Sequence, residues 1–536
     1  MLKSKKYYDK FFTNYPFDVH DSPARFTFVS ELLKGRVLDV ACGTGTLSKY
    51  FSGDYVGVDF SDVAIDKAKL ERRKDAVFIA LNFTKEFHNN DPLYDSAYLG
   101  EFLEHIEDDK IVFENLLRFL KPDGKIIVSV PNGDKVPDES HCRTFTVPQI
   151  RKEYSKYGKI KFYNWEGADM RIVFSIDLGK ENSDEISLVM IVKDEQKGLE
   201  RAILSALPLV DRVVISVDSK SSDKTEVIAK LYADELRFHA WKNDFSKARN
   251  FAQENVKSKW ILFLDGHEYI EDFGDVKEKL KSDVEGIFVT VRMESGLEFL
   301  FPRIYRSYIK FKNAVHNVNE CKTRKGSPNF VIIHDREGGQ DEKAIERRNE
   351  QREKMMPEEL RKELKIDRKN PRAHFHLANF CLMQKDVKQA LKHYKAVVKY
   401  GKSQDQNYMS YLQIGALQLL KGNTMRSLWA LLGANKLTPG RCESARALGG
   451  FYFTQKKYDV ALEYLVKALK PNNRRYMYQP MEINKVEVYN MIARCLTESG
   501  EHAKAIISWE ESLKHCTNDK EKNLVKQKIK LVQTLL

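Results

Sequence analysis

The stretch VLDVACGTGTLSKYF, residues 37–51, decides how the first third of the chain folds. Its first residues are apolar and β-branched, its middle is a glycine turn, and its end has helical character. The sequence therefore predicts a strand, a tight turn and the start of a helix. Gly43 and Gly45 let the backbone come close to a ligand, and a helix N-terminus beyond them presents unpaired N–H groups. A lone glycine turn is weak evidence. The following strand, YVGVDF, ends in Asp59, fourteen residues after Gly45. A carboxylate at a strand end can accept both hydroxyls of a ribose.

Working outward, RVLDVA, DYVGVDF, AVFIALNF, DSAYLGEF and KIIVSV read as strands separated by stretches of helical period. That alternation up to about residue 178 predicts a doubly wound α/β sheet. After the polar joint LGKENSDE (178–185) a second α/β pattern opens with ISLVMIV, RVVISVDS and WILFLDG. From about residue 340 the strand signals stop and helix follows helix. The expected division is residues 1–178, residues 184–340, a helical linker over 341–369, and helical repeats over 370–536. The fold class is multidomain α/β with an all-α C-terminal solenoid.

The repeats rest on spacing. A small residue recurs twelve positions before another: Ala378 and Ala390, Gly415 and Ser427, Gly449 and Ala461, Ala493 and Ala505. Four residues later stands a bulky one: Tyr394, Leu431, Leu465 or Trp509. Units two and three then reach Pro439 and Pro471. These offsets resemble the tetratricopeptide (TPR) repeat, in which small residues let two antiparallel helices approach and the bulky residue fills the gap to the next unit.

The order Asp39-x-x-x-Gly43-x-Gly45 followed by Asp59 resembles the class I S-adenosylmethionine-dependent methyltransferases, a Rossmann-like fold, over roughly residues 20–176. The turn differs from the six-residue dinucleotide fingerprint and argues against NAD. The resemblance implies that Asp39, Gly43, Gly45 and Asp59 hold the donor and that Asn82 and Phe83 flank its adenine, with Asn82 standing where the family usually has Asp. YLGEFLEHI (98–106), LRFLKPDGKIIVSVPN (117–132) and HCRTFT (141–146) look like the subset that methylates small molecules, including quinone precursors and sugars. Methyl transfer needs the acceptor held in line with the sulfonium. A hydroxyl acceptor also benefits from a base, for which His105 and His141 are the candidates.

The second pattern, ISLVMIVKDEQKGLERAI, VDRVVISVDSKSSDKT, WKNDFSKARNFA and KWILFLDGHEYIED, resembles the family 2 glycosyltransferases of the GT-A fold. It is similar to a peptide S-glycosyltransferase-like subset that also carries a repeat arm. The resemblance implies a nucleotide-sugar donor near Lys193, Glu195, Asp218, Asp244, Arg249 and Asp265. Asp223 and Thr225 read as helix-capping residues. Most of the family has Asp-x-Asp where this chain has Asp265-Gly266-His267. Asp-x-His still offers two ligands from one turn, and manganese accepts mixed carboxylate and imidazole donors. His316, in NAVHNVN, is the expected third ligand, with His334 a lesser candidate; a lost metal site is the opposing reading of His267. Glu294, Glu298 and Asp335 are candidates for the acceptor base of an inverting transfer.

The seven scattered cysteines contain no CxxC pair, and the basic N-terminus is followed by no apolar run. A cytoplasmic enzyme without membrane insertion is expected. The net charge of +12 divides into −4 over residues 1–350 and +16 over residues 351–536. A solvated helical surface accounts for that excess, and an acidic or nucleic-acid partner is the sharper reading. The resulting expectation is a bifunctional enzyme. It transfers a sugar to a peptide, protein or glycan and methylates that sugar or the acceptor, while the repeats grip the acceptor or pair two protomers. Rival readings are modification of DNA bases, separate steps of surface-glycan synthesis, and a scaffold of inactive domains. The sugar, the acceptor, the methylated atom and the order of steps are not legible in the sequence.

Overall fold

The protein is described by a computed structural model covering all residues except 1–3, 15–21, 86–92, 134, 166–169, 181–184, 316, 317, 320, 340, 341 and 471–483. The chain forms two compact units. The larger comprises Met1–Val289, Pro302–Lys312 and Asn317–Ile345; the smaller comprises Thr290–Phe301, Asn313–His316 and Glu346–Leu536.

The first sheet contains β1 (Val37–Val40), β2 (Tyr55–Asp59), β3 (Val77–Ala80), β4 (Tyr94–Gly100), β5 (Leu120–Pro131), β6 (Lys159–Tyr163) and β7 (Arg171–Asp177). Their spatial order is β3-β2-β1-β4-β5-β7-β6. β1 lies parallel to β2 and β4, and β7 enters antiparallel between β5 and β6. The five strands legible in the sequence are all present, and β6 and β7 extend the sheet beyond them. β1 is buried along its whole length, as a central strand covered on both faces must be. The order reverses between β1 and β4, which opens the crevice where doubly wound sheets bind ligands.

The second sheet is built from β8 (Ile186–Val192), β9 (Arg212–Asp218), β10 (Glu235–His239), β11 (Trp260–Phe263), β12 (Glu268–Phe273), β13 (Gly286–Met293), β14 (Glu298–Arg306) and β17 (Arg324–His334). A separate ribbon pairs β15 (Phe311–Lys312) with β16 (Val318–Asn319). The large sheet runs β10-β9-β8-β11-β14-β13-β17-β12. β8, β9, β10 and β11 are parallel, whereas β14 pairs antiparallel with β11. The two α/β regions meet through polar contacts. Asn132 Nδ2 donates to the Tyr232 hydroxyl at 2.5 Å, and Arg151 pairs with Asp234 while donating to the Val210 carbonyl at 3.2 Å.

The helical region confirms the repeat spacing. Helices pair as 371–383 with 387–400, 404–420 with 424–437, 442–454 with 458–468, and 485–498 with 502–515, followed by a helix at 519–533. The small residues work as expected. A β-carbon on Gly415 would stand 2.6 Å from Leu431 Cδ2, and one on Gly449 2.6 Å from Leu465 Cγ. Ser427 Oγ donates to the Gly415 carbonyl across the same helix pair at 2.8 Å. The expected Pro471 lies outside the described residues. The charged segment at 342–366 is a single helix whose Leu360 is buried in the core of the first repeat. Among the described residues no helix is long and apolar enough to cross a membrane.

Candidate active sites

At the C-terminal edge of the first sheet a cavity of about 140 Å³ is lined by Ala41 and Gly43 after β1, Asp59 and Phe60 after β2, Leu81–Thr84 after β3, and Glu101, Phe102 and His105 after β4. Tyr8 and Phe12, from the helix Lys5–Asn14, line its other side. Asp59 accepts hydrogen bonds from the backbone N–H of Gly43 and of Ser61, each at 2.9 Å. Burial pushes its carboxyl up to about 6, against the lowering effect of those N–H groups. Gly43, Asp59, Asn82 and Phe83 therefore come together as the sequence suggested. Gly45 and Asp39 are not among the lining residues. Gly45 has φ +73°, and a β-carbon there would meet Phe78 at 2.4 Å, so this glycine serves the turn and the packing beneath it. The Asp39 carboxylate accepts the Tyr55 hydroxyl. Asn82 Oδ1 accepts from Thr84 N at 3.0 Å and Thr84 Oγ1 at 2.7 Å.

His105 and His141, thirty-six positions apart in the chain, stand with ring centroids 5.1 Å apart. His105 Nδ1 lies 3.2 Å from the Ser140 carbonyl, so it donates there and Nε2 carries the lone pair. The neighbouring Glu101 is held by two guanidinium groups, Arg171 at 2.8 Å and Arg25 at 3.1 Å.

The second site is built where β8, β9 and β11 end. Asp218 closes β9, is buried, and lies 3.6 Å from Lys193 Nζ beyond β8. Asp223 accepts from the backbone N–H groups of Gln196 and Thr225, at 3.0 and 2.9 Å, and Thr225 Oγ1 accepts from Glu195 N at 2.8 Å. These two residues clamp one loop to the next, consistent with a structural role. Asp244 caps the helix Phe245–Ala252, accepting from Lys247 N at 3.0 Å, which aims Arg249 on that helix at the end of β11.

The buried apolar strand β11 delivers Asp265, and the turn after it is closed reciprocally: Asp265 N donates to Glu268 Oε2 and Glu268 N to the Asp265 carbonyl, both at 2.9 Å. Gly266 is required because a β-carbon would meet Glu195 Cγ at 2.8 Å. Two guanidinium groups close on the turn. Arg249 Nη2 is 3.3 Å from Asp265 Oδ1; Arg303 Nη2 is 2.5 Å from Glu268 Oε1 and 3.7 Å from Asp265 Oδ2. Burial raises the Asp265 pKa, but Arg249 and then Arg303 overcome this and hold the carboxyl well below its ordinary range. His267 Nδ1 lies 3.3 Å from Glu195 Oε1. Burial lowers the His267 pKa, yet the Glu195 hydrogen bond and charge leave it raised. His334, opposite Glu268 in the β12–β17 ladder, donates from Nδ1 to Glu268 Oε1 at 3.0 Å and stacks edge-on against His267 at 4.6 Å.

Arg303 was not legible in the sequence, because it sits inside the largely apolar strand FLFPRIYR and gives no motif; a charged residue amid apolar ones was the only signal. His316 lies outside the described residues. Glu294 occupies the turn between β13 and β14, Glu298 pairs with Arg292 at 3.0 Å, and Asp335 is held by Arg201 at 2.7 Å.

Both α/β regions match known families. The family described as "Methyltransferase domain" matches residues 19–165, and "Glycosyl transferase family 2" matches residues 187–340. The chain joins a methyltransferase domain to a family 2 glycosyltransferase domain. The helical region behind them is of TPR type. A TPR repeat-containing protein of Synechococcus elongatus is 34% identical over 142 residues, covering 25% of this chain and 35% of that one. The ubiquinone biosynthesis O-methyltransferase of Alkalilimnicola ehrlichii is 29% identical over 125 residues, 21% of this chain and 51% of the relative. The SPbeta prophage-derived glycosyltransferase SunS of Bacillus subtilis is 36% identical over 101 residues, 18% of this chain and 24% of the relative. The chain thus spans about half or less of the length of these relatives.

Proposed function

We propose that the chain transfers a hexose-like sugar from a nucleotide donor to a peptide, protein or glycan acceptor, and O-methylates that sugar or its acceptor with S-adenosylmethionine. The observation that carries the glycosyl half is the Asp265–His267 turn ringed by Arg249 and Arg303. An ionised carboxylate beside an imidazole oriented by Glu195 fits a divalent metal, most suitably manganese, with Asp265 and His267 as ligands. When bound, the metal supplies charge neutralisation to the departing diphosphate. Lys193 and Asp218 recognise the base, and Glu195 orients His267.

The methyl half rests on Gly43, Asp59, Asn82 and Phe83 converging on one cavity. Asp59 pairs with the ribose hydroxyls, and His105 and His141 stand at the side from which an acceptor hydroxyl enters. Fusion of the two domains raises the concentration of one product at the next site. The repeat array grips the acceptor or pairs two copies of the chain.

One observation favours a second reading of the glycosyl site. Arg249 and Arg303 already bring two positive charges to Asp265, and guanidinium groups stabilise diphosphates without a metal. The deciding experiment incubates the full chain with a panel of nucleotide sugars and follows released nucleoside diphosphate, in chelator and with metals returned singly. Restoration by manganese supports the metal-dependent reading; full hydrolysis in chelator assigns the charge neutralisation to the arginines. No release from any donor overturns the proposed glycosyl transfer.

A further inference from the structure

Glu104 follows β4, is wholly buried, and neither of its carboxylate oxygens has a hydrogen-bond partner. The two guanidinium groups of the neighbourhood, Arg25 and Arg171, are ion-paired with Glu101 instead. A carboxylate removed from water without donors is costly, and such a group calls for a cation or a proton. Two imidazoles share its position. One ligand atom each from Glu104, His105 and His141 lies within 4.8 Å of the others, the one three-residue cluster of this kind among the described residues.

We propose that Glu104, His105 and His141 bind a divalent first-row cation at the edge of the methyl-donor cavity, where it holds the acceptor hydroxyl. Two imidazoles and one carboxylate are the donor set of open catalytic zinc sites, which keep a further position for water or substrate. Zinc–ligand bonds of about 2.0–2.2 Å put donor atoms about 3.4 Å apart, so the cluster needs to close by little more than an ångström. Its members sit on segments suited to that adjustment: His105 ends the short turn Leu103–His105, and His141 lies in an irregular loop. The orientation of His105 is preset. Its Nδ1 donates to the Ser140 carbonyl, the residue adjoining His141, which leaves the Nε2 lone pair for a ligand. His105 also lines the donor cavity, so a cation held there borders the space into which the methyl group is transferred.

The inference rests on the hydroxyl-methylation reading and deepens it, since the imidazoles act through a cation. A hydroxyl on the cation loses its proton to solvent more readily. Its lone pair then forms the O–CH₃ bond as the S–CH₃ bond breaks, and the sulfonium leaves as the neutral thioether.

The test titrates Co²⁺ into the full chain carrying His267→Ala, which removes the glycosyl-site imidazole, and follows the visible absorption of the ion. One equivalent should bind with the band intensity of a low-coordinate nitrogen-containing site. Adding His141→Ala or Glu104→Gln should weaken that binding at least tenfold, with circular dichroism confirming the fold. His141 is partly exposed, so its variant remains informative if the Glu104 variant fails to fold. No Co²⁺ bound, or equal affinity in the His141 variant, overturns the proposal. Methyl transfer to a hydroxyl at full rate in chelator overturns the cation's role while leaving the acceptor class intact. Co²⁺ bound through these residues with the methyl delivered to nitrogen or sulfur supports the site and removes the hydroxyl reading instead.

Discussion

Glu195 Oε1 lies 3.3 Å from His267 Nδ1, although seventy-two positions separate the two residues. Both are buried, Glu195 at 4% and His267 at 6% exposure. The contact ties the loop after β8 to the turn that carries Asp265. A carboxylate on Nδ1 keeps the proton there and makes Nε2 the basic nitrogen. Glu195→Gln should therefore weaken Mn²⁺ binding by about 10–100-fold, the usual cost of losing a partner that orients a ligating histidine. The measurement is Mn²⁺ titration by electron paramagnetic resonance with nucleoside diphosphate present. Equal affinity in the variant would separate Glu195 from the metal.

Replacing His267 itself distinguishes ligand from bystander. His267→Asp supplies a second carboxylate from the same turn and should retain metal-dependent donor hydrolysis. His267→Ala should lower it by about 100-fold or more, as expected when a group stabilising the departing charge is removed. An alanine variant as active as the wild type in chelator would assign that stabilisation to Arg249 and Arg303.

In its proposed role at the methyl donor, the buried Asp59 should make donor binding pH-dependent. Its folded-state pKa, about 6, stands above its ordinary value of 3.8. The folded donor-free chain therefore binds the proton more tightly than the unfolded chain, and this group's contribution to stability is lost as pH rises through that window. Donor binding has the opposite sign under the proposed role of Asp59, because pairing with both ribose hydroxyls requires the carboxylate. Affinity for S-adenosylmethionine should fall about tenfold per pH unit below 6. Asp59→Ala should cost about 1.5–3 kcal/mol at neutral pH and abolish that slope. Calorimetric titrations between pH 5 and 8 check both.

In the repeats, Gly449 faces Leu465 with no room for a side chain. Gly449→Val should destabilise the array by about 1–3 kcal/mol through overpacking, despite glycine's poor helix propensity. Thermal or urea unfolding followed by helical circular dichroism measures the loss. A neutral or stabilised variant would mean that the helix pair can separate without cost.

The sequence alone determined those features whose physics is local. Alternating apolar strands and helices required two α/β regions. The glycine turn with Asp59 placed the cavity at the end of the first sheet, and the small–bulky spacing of Gly415, Gly449, Leu431 and Leu465 required paired helices. Asp265-Gly266-His267 marked itself because a carboxylate and an imidazole flank one glycine. Tertiary structure decided what depends on distant segments. It assigned Gly45 to packing against Phe78, committed Asp244 to capping, and brought Arg303 from the interior of a strand to Glu268 and Asp265. It also showed that Glu101 is held by arginines while Glu104, three residues later, is buried without a donor. Backbone periodicity fixes which residues share a face, but the pairing of charges depends on which strands become neighbours. Neighbours such as β11 and β14 are joined by a long connection that no local pattern encodes.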